Sequence, residues 1–289
     1  MNMKSVLCIV VTYNRLECLK ECLSALSRQS CNDFDILVVN NGSTDGTKEF
    51  LESQEGLLTI HQTNLGGAGG FYAGMRYGFD NDYQWVWLMD DDGIPAPTQL
   101  EELLKYQDKS WYLNALVICK DDHSQFAFPP LDASVTIASV QKNTLIEGFC
   151  HPFNGTLYKK DLIERIGFIK KEMFIWGDEK EYTARAIKAG IVPVTVTSAI
   201  HYHPKEKATK VYALPLWHHP KTEVLLKPVK MSRYYYRNLG YIDATYRTKL
   251  KSFKLILMHT FYFARTLKLS ELRKFYRYYF AGRKNNYNG

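Results

Sequence analysis

Trp87-Leu88-Met89-Asp90-Asp91-Asp92-Gly93 decides the reading of this 289-residue chain. Tyr83, Trp85, Val86, Trp87, Leu88 and Met89 make a bulky apolar run, the mark of a buried strand, and Gly93, Pro95 and Pro97 end it at once. Three carboxylates therefore sit at the C-terminal end of a core strand, where open α/β sheets place their ligands. Adjacent negative charges in a partly enclosed spot repel one another, and a cation relieves that cost. Hard oxygen ligands suit Mg²⁺ or Mn²⁺, and such an ion shares its remaining positions with substrate phosphates. The competing reading is an acidic turn in water; the core strand in front of it favours a metal-diphosphate site.

Outward from this stretch the pattern alternates. Val6 to Val11 reads as a first core strand rather than a secretory signal, because it flows straight into the polar turn Thr12-Tyr13-Asn14-Arg15. A helix follows, with Leu16, Leu19, Leu23 and Leu26 at helical spacing. Phe34 to Val39 is a second strand, apolar enough to be buried on both faces. Asn40-Asn41-Gly42-Ser43-Thr44-Asp45-Gly46 is a turn rich in helix-capping residues, and a helix begins near Thr47. Leu57 to His61 is a short third strand; Asn64-Leu65-Gly66-Gly67-Ala68-Gly69-Gly70-Phe71 then precedes a helix through Tyr77. Beyond Pro97, a helix with Leu100, Leu103 and Leu104 leads to a strand over Leu113 to Cys119, and residues 121 to 148 are irregular. Phe153 to Tyr158 reads as a strand feeding a helix, Asp178-Glu179-Lys180-Glu181-Tyr182 opens another, and Ile191 to His203 reads as strand. This alternation predicts an α/β fold with a mostly parallel, Rossmann-like nucleotide-binding sheet flanked by helices.

Charge divides the chain at about residue 220. Residues 221–289 hold 16 Lys+Arg and 3 Asp+Glu, a net +13, so with +7 overall the first 220 residues carry −6. We therefore expect a core domain over 1–220 and a basic, aromatic, helical region over 221–289. Basic plus aromatic composition suits an anionic membrane surface or a nucleic acid. The apolar run Leu255 to Ala264 is too short to span a bilayer. Tyr234 with Arg237, and Phe275 with Tyr278 and Tyr279, recur at helical spacing and are expected to dock on the inner leaflet; a helical hairpin or a dimer contact is the alternative. The six cysteines show no paired Cys-x-x-Cys spacing and read as free thiols, which fits a reducing cytoplasmic setting.

Three further segments carry candidate chemistry. Gly66, Gly67, Gly69 and Gly70 lack the Lys-Ser/Thr ending of a Walker loop, but glycines before a helix offer exposed amides to phosphates or sugar; tight packing is the alternative. Asp178, Glu179 and Glu181 follow Trp176, and a carboxylate against an indole wall at a helix start suits a general base. His201 and His203 alternate on a strand and so share a side, as metal ligands or as plain polar residues.

Together these segments resemble the inverting family 2 glycosyltransferases with the GT-A fold. The matching pieces, in family order over about 1 to 205, are Val10 to Arg15, Val38 to Asp45, Asn64 to Phe71, Trp87 to Asp92 and Trp176 to Tyr182. The Asn-Leu-Gly-Gly-Ala-Gly-Gly-Phe form, the triple Asp and the Trp-x-Asp-x-x-Glu-Tyr segment look most like the galactofuranosyltransferase branch, with rhamnosyltransferases close by. The resemblance implies that Asp90 and Asp92 hold Mn²⁺ or Mg²⁺ on the donor diphosphate, with His203 completing the metal site and Asp91 nearer the sugar. It implies Asp178 as catalytic base, with Trp176, Glu179 and Glu181 on the acceptor side. Thr12, Tyr13, Asn14, Arg15, Asn40, Asn64, Gly66, Gly67 and Gly69 would serve the nucleotide-sugar donor. One departure stands out: the family commonly has Asp at the position of Asn40, so the base contact here lacks a charge.

The expected activity is transfer of galactofuranose from UDP-galactofuranose to a hydroxyl of a lipid-linked cell-surface polysaccharide, by a protein peripheral on the inner face of the plasma membrane, with a homo-oligomer as an open option. dTDP-rhamnose is the alternative donor. A nucleic-acid-binding α/β module is the alternative of another class; the acidic front part argues against it, because it repels phosphate backbones.

Overall fold

The computed structural model describes residues 5–128, 134–206, 209–214 and 223–288. The chain divides into two compact units: Met1–Lys171 with Tyr182–Glu206, and Glu172–Glu181 with Lys207–Gly289. The boundary thus lies at 206/207 instead of 220, and ten residues from before it, 172 to 181, join the C-terminal unit. Composition marks where charge changes, but the boundary follows which segments pack together.

In the first unit, β1 (Val6–Thr12), α1 (Leu16–Leu26), β2 (Phe34–Asn40), α2 (Thr47–Glu52), β3 (Leu58–His61), α3 (Gly66–Asp80) and β4 (Trp85–Asp90) follow the expected alternation. After β5 (Ile94–Pro95) and α4 (Gln99–Leu104) comes β6 (Tyr112–Cys119). The stretch read as irregular contains α5 (Ile137–Val140) and β7 (Leu145–Glu147); β8 (Asn154–Lys159), α6 (Lys160–Ile166), α7 (Asp178–Lys188), whose first four residues count with the second unit, and β9 (Val194–His203) complete the series. The nine strands form one sheet in the order β3-β2-β1-β4-β8-β6-β9-β5, with β7 also paired to β9. β1 pairs in parallel with β2 and β4, and β2 with β3, while β8 runs antiparallel to both β4 and β6. The parallel half is the nucleotide-binding pattern; its strand ends collect Thr12, Asn40 and Asp90 along one edge because the register pairs Thr12 with Asn40 and Val11 with Asp90.

All seven residues of β1 are buried, as a central parallel strand demands. Val6, Cys8 and Val10 face a core with Leu19, Cys22 and Leu26 of α1 and with Trp85, Trp87 and Met89 of β4. The opposite face packs on α3, and here the structure departs from the sequence reading. The glycines are not a loop before the helix but its first turns: α3 begins at Gly66. A Cβ on Gly70 would collide with Val11, one on Gly74 with Ile9, and one on Gly78 would lie 2.7 Å from Val86. Glycine at four-residue steps lets the helix backbone lie directly on the sheet. Gly67 has open space around its Cβ position.

The second unit holds the hairpin β10 (Thr209–Tyr212) and β11 (Glu223–Leu226) and the helices α8 (Ser232–Tyr246), α9 (Lys249–Arg265) and α10 (Leu269–Arg283). β11 falls within the 221–289 region expected to be helical. Its core is aromatic: Tyr236, Tyr262, Phe263, Phe275 and Tyr279 pack with Val224 and Leu239. Phe275 and Tyr279 are therefore inside rather than on an outward, lipid-facing surface, because α8 and α10 meet where Gly240 lies against the Tyr279 carbonyl and Gly282 against that of Arg237. Tyr234 stacks on Phe174 with ring centres 4.4 Å apart.

Candidate active site

The end of β4 delivers the acid triad into a polar cluster. Asp91 is 3% exposed and accepts a 2.8 Å hydrogen bond from Thr12 Oγ1 at the end of neighbouring β1. Arg15 reaches both neighbours, with Nη1 3.3 Å from Asp91 Oδ1 and 2.6 Å from Asp92 Oδ2. His203, the last residue of β9, places Nε2 3.3 Å from Asp92 Oδ1 and Nδ1 2.7 Å from the Pro204 carbonyl. Three segments, residues 12–15, 90–92 and 203, thus converge: β1 lies beside β4, and the pairing of Ile94 with Tyr202 brings the end of β9 to Asp92.

Burial and mutual repulsion set the electrostatics. Asp90 is pushed up to about 7, by burial first and then by the charges of Asp92 and Asp91. Burial raises Asp91 to about 6 against the opposing hydrogen bond from Thr12 and charge of Arg15. Asp92 goes the other way: burial would raise it, but the hydrogen bond and charge of His203, with Arg15, hold it at about 2. Burial opposes charge on His203, and the bond to Asp92 outweighs it and raises the imidazole pKa. The cluster is an anionic site that wants positive charge.

His201 is placed differently from His203. It is fully buried, with Nδ1 3.0 Å from Gln99 Oε1, and it fills the space left by Gly93 and Gly155. Burial lowers its pKa to about 3, so it stays neutral. The flank of His203 holds a residue that sequence reading missed: the Phe128 ring lies 4.9 Å from that of His203 and 5.2 Å from that of His151.

The donor-side residues have mixed placements. Tyr13 is 46% exposed and Asn14 takes a left-handed φ of 52° in the turn after β1. Asn14 Oδ1 accepts from the Thr44 amide at 2.7 Å, and Asp45 receives the Leu16 amide at 3.0 Å, so two loops are tied together beside the triad. Asn40 is 2% exposed with both ends of its amide engaged, Oδ1 by the Ser43 amide at 3.0 Å and Nδ2 near His61 Nδ1 at 3.2 Å. It shapes the turn. Asn64 Oδ1 accepts the Gly66 amide at 2.9 Å and so caps α3. Gly66 and Gly69 are buried within the first turn of α3, and Gly67 is partly exposed there. Asn41, not singled out beforehand, bonds the Gly66 carbonyl, Gln62 and the Leu65 amide and holds that helix start against β2.

The second unit carries residues 172–181, the segment expected on the acceptor side. Phe174, Trp176 and Gly177 have φ of 65°, 61° and 119°, a left-handed path that costs bulky residues about 1–3 kcal/mol each. What holds it is Asn238 of α8, fully buried, whose Nδ2 donates to the carbonyls of Met173, Ile175 and Trp176 at 2.8, 3.0 and 3.0 Å. α7 then opens with Asp178 at 5% exposure and Glu181 at 2%, the latter accepting from Tyr246 Oη at 2.7 Å. Glu179 turns back to the Gly177 amide at 2.8 Å, so it caps the helix start. Lys227 lies 4.9 Å above the Trp176 ring. A buried Asn on the apolar face of α8 was the available signal for Asn238, but nothing in sequence linked it to a segment some 60 residues earlier.

Residues 7–167 match the glycosyl transferase family 2. The galactofuranosyltransferase GlfT1 of Mycolicibacterium smegmatis is 32% identical over 213 residues, covering 69% of this chain and 70% of that protein. Among solved structures, Staphylococcus aureus TarS 1-349 superposes with a TM-score of 0.55 at 16% identity, over 90% of this chain and 72% of that one. The mannosyltransferase PcManGT from Pyrobaculum calidifontis, solved with GDP-Man and Mn²⁺, gives 0.56 at 16% identity over 94% and 73%. The chain belongs to glycosyl transferase family 2, is a glycosyltransferase and has the GT-A fold.

Proposed function

Within that family, we propose a metal-dependent, inverting transferase that moves galactofuranose from UDP-galactofuranose onto a hydroxyl of a lipid-linked surface glycan. The observation that carries it is the convergence of Asp91, Asp92, Thr12, Arg15 and His203 at the sheet's C-terminal edge, joined to 32% identity with a galactofuranosyltransferase. The donor set fits a hard divalent ion. His203 gives its Nδ1 proton to a backbone carbonyl, so Nε2, which meets Asp92 Oδ1 here, is the nitrogen that would turn to an ion. Among the described residues no group of three or more His, Cys, Asp or Glu side chains is set to hold an ion by itself, so substrate phosphates and water would have to complete the coordination. Asp90, Asp92 and His203 would hold Mn²⁺ or Mg²⁺, which when bound offsets the charge growing on the leaving diphosphate.

The protein's own groups do the rest. Arg15 and Thr12 hold Asp91 and Asp92 in place at the donor end. Asp178 accepts the proton of the acceptor hydroxyl as its oxygen bonds the anomeric carbon and the bond to the diphosphate breaks. A single in-line displacement inverts that carbon and needs no nucleophilic side chain. Glu181, oriented by Tyr246, and Trp176 serve the acceptor. The protein would work at the inner face of the membrane that carries its acceptor.

The test is a panel of nucleotide sugars with Mn²⁺ and an acceptor glycolipid, reading which nucleotide is released. UDP from UDP-galactofuranose, lost on chelation with EDTA, is expected. Release of dTDP from dTDP-rhamnose would replace the donor, and turnover indifferent to EDTA would remove the metal.

A further inference from the structure

α9 is apolar on two opposite faces. One belongs to the core: Ser252, His259, Tyr262 and Phe263 are buried. The other is in water, with Leu250 78% exposed, Phe253 63%, Leu257 47% and Phe261 43%. These four recur at steps of three and four residues, so they form one line along the helix. At 1.5 Å per residue the line is about 16 Å long. The turn that follows adds Leu267 at 82% and Leu269 at 55% exposure. Single exposed apolar side chains are ordinary on a soluble surface, but an aligned row of them marks a surface that meets something apolar.

Charge identifies what it meets. α9 contains Lys249, Lys251, Lys254 and Arg265 and no Asp or Glu. All four are exposed, and none of the three lysines has an ion-pair partner among the described residues. A second copy of this chain would bring the same positive charge against it. An anionic leaflet supplies both what the leucines and phenylalanines need and what the lysines need. No described helix is long and apolar enough to cross a membrane, so α9 would lie in the interface plane.

We propose that this face of α9 is a membrane-docking surface, with Leu250, Phe253, Leu257 and Phe261 among the upper acyl chains and the lysines on headgroup phosphates. The surface differs from the Tyr234, Phe275 and Tyr279 set that spacing alone suggests, since Phe275 and Tyr279 are core. Its biological purpose rests on the lipid-linked acceptor proposed above; its geometry does not.

The experiment is vesicle sedimentation of the full chain without donor or acceptor, with phosphatidylcholine vesicles and with vesicles containing about a third phosphatidylglycerol. Wild type should pellet with the anionic vesicles and lose most binding in high salt. Phe253→Ser with Leu257→Ser should weaken binding by about a hundredfold, from the burial of two large side chains. Lys249→Gln with Lys251→Gln and Lys254→Gln should weaken it by more than tenfold, at roughly fivefold per lysine. Circular dichroism and turnover on a detergent-solubilised acceptor should be unchanged in both, since these side chains are exposed. Equal pelleting of wild type and the Ser variant, or binding indifferent to lipid charge, overturns the docking surface. A wild-type dimer that the Ser variant dissociates, with no vesicle binding, overturns it in favour of a second copy. Vesicle binding that holds while UDP-galactofuranose is not turned over leaves the surface standing and removes the galactofuranose-transfer reading instead.

Discussion

The two units present carboxylates by opposite means. In the first, strand pairing does the positioning: β1 ends beside β4, β5 pairs with β9 where Ile94 meets Tyr202, and Thr12, Asp91, Asp92 and His203 are so brought within hydrogen-bond range. In the second, the backbone leading to Asp178 runs through left-handed Phe174, Trp176 and Gly177, and one buried side chain, Asn238, holds it there. A sheet edge suits a charged, preorganised site for a diphosphate. A strained, pinned turn suits a carboxylate whose exact placement matters to one proton.

The comparison breaks first at chemistry. Asp178→Asn should lower turnover by about 10²–10⁴-fold, the usual contribution of a general base, while UDP binding measured by calorimetry stays as in wild type. Asp92→Ala should do the reverse to binding, removing the Mn²⁺-dependent gain in UDP affinity, by more than about tenfold. Asp178→Asn retaining over a tenth of wild-type turnover, or Asp92→Ala keeping its full metal gain, would each dissolve the division of labour.

A second contrast concerns acid. His259 sits in the second unit's aromatic core, 4% exposed, stacked on Phe275 at 4.6 Å, with Nδ1 donating to the Leu255 carbonyl at 2.9 Å. Burial lowers its pKa to about 4. Below its unfolded pKa, about 6.5, the unfolded chain binds a proton that the folded chain refuses. The stability its neutrality contributes is therefore whole above about pH 6.5 and is lost as pH falls toward 4, up to about 3 kcal/mol. His259→Gln has no such proton to refuse. Urea unfolding at pH 7 and at pH 4.5 should show the gap between wild type and His259→Gln narrowing with acid; a constant gap would mean that His259 is not buried neutral.

Asn238→Ala tests the pin directly. Three carbonyls lose their donor, and leaving buried acceptors unmet costs about 2 kcal/mol. Turnover should fall with it while UDP affinity does not, because the donor residues belong to the other unit. Loss of stability without loss of turnover would reduce Asn238 to a core residue.

What was legible follows the same division. The α/β alternation and the triad could be read because continuous apolar strands and abrupt Gly and Pro stops are local signals, and Trp85 to Gly93 contains both. The Asn238 link could not, because it joins α8 to a turn distant in sequence. Nor could the split of the 172–181 segment from its flanks. α10 misled for another reason: Phe275 and Tyr279 recur at helical spacing as an outward row would, and only packing assigns both to the core. Asn40 and Asn64 matched donor positions by type, yet both ends of the Asn40 amide and the Asn64 Oδ1 are engaged locally.

The glycines of α3 give the finest test of local against tertiary signals. Glycine is a poor helix former, so Gly66 to Gly70 reads as a loop; the close approach of α3 to β1 overrides that preference. Gly74→Ala places a methyl into Ile9, buried within the sheet face, and should cost roughly 1–2 kcal/mol by overpacking. Gly67→Ala meets nothing within 4 Å and lies in the same helix. It should stabilise instead, by about 0.5 kcal/mol, because alanine loses less backbone freedom on folding. The pair shares composition, helix and solvent conditions and differs only in what stands opposite the new methyl. Thermal unfolding of the two variants should therefore move the midpoint in opposite directions from wild type. A shared sign would mean that propensity, and not the sheet beneath, sets the choice of glycine along this helix.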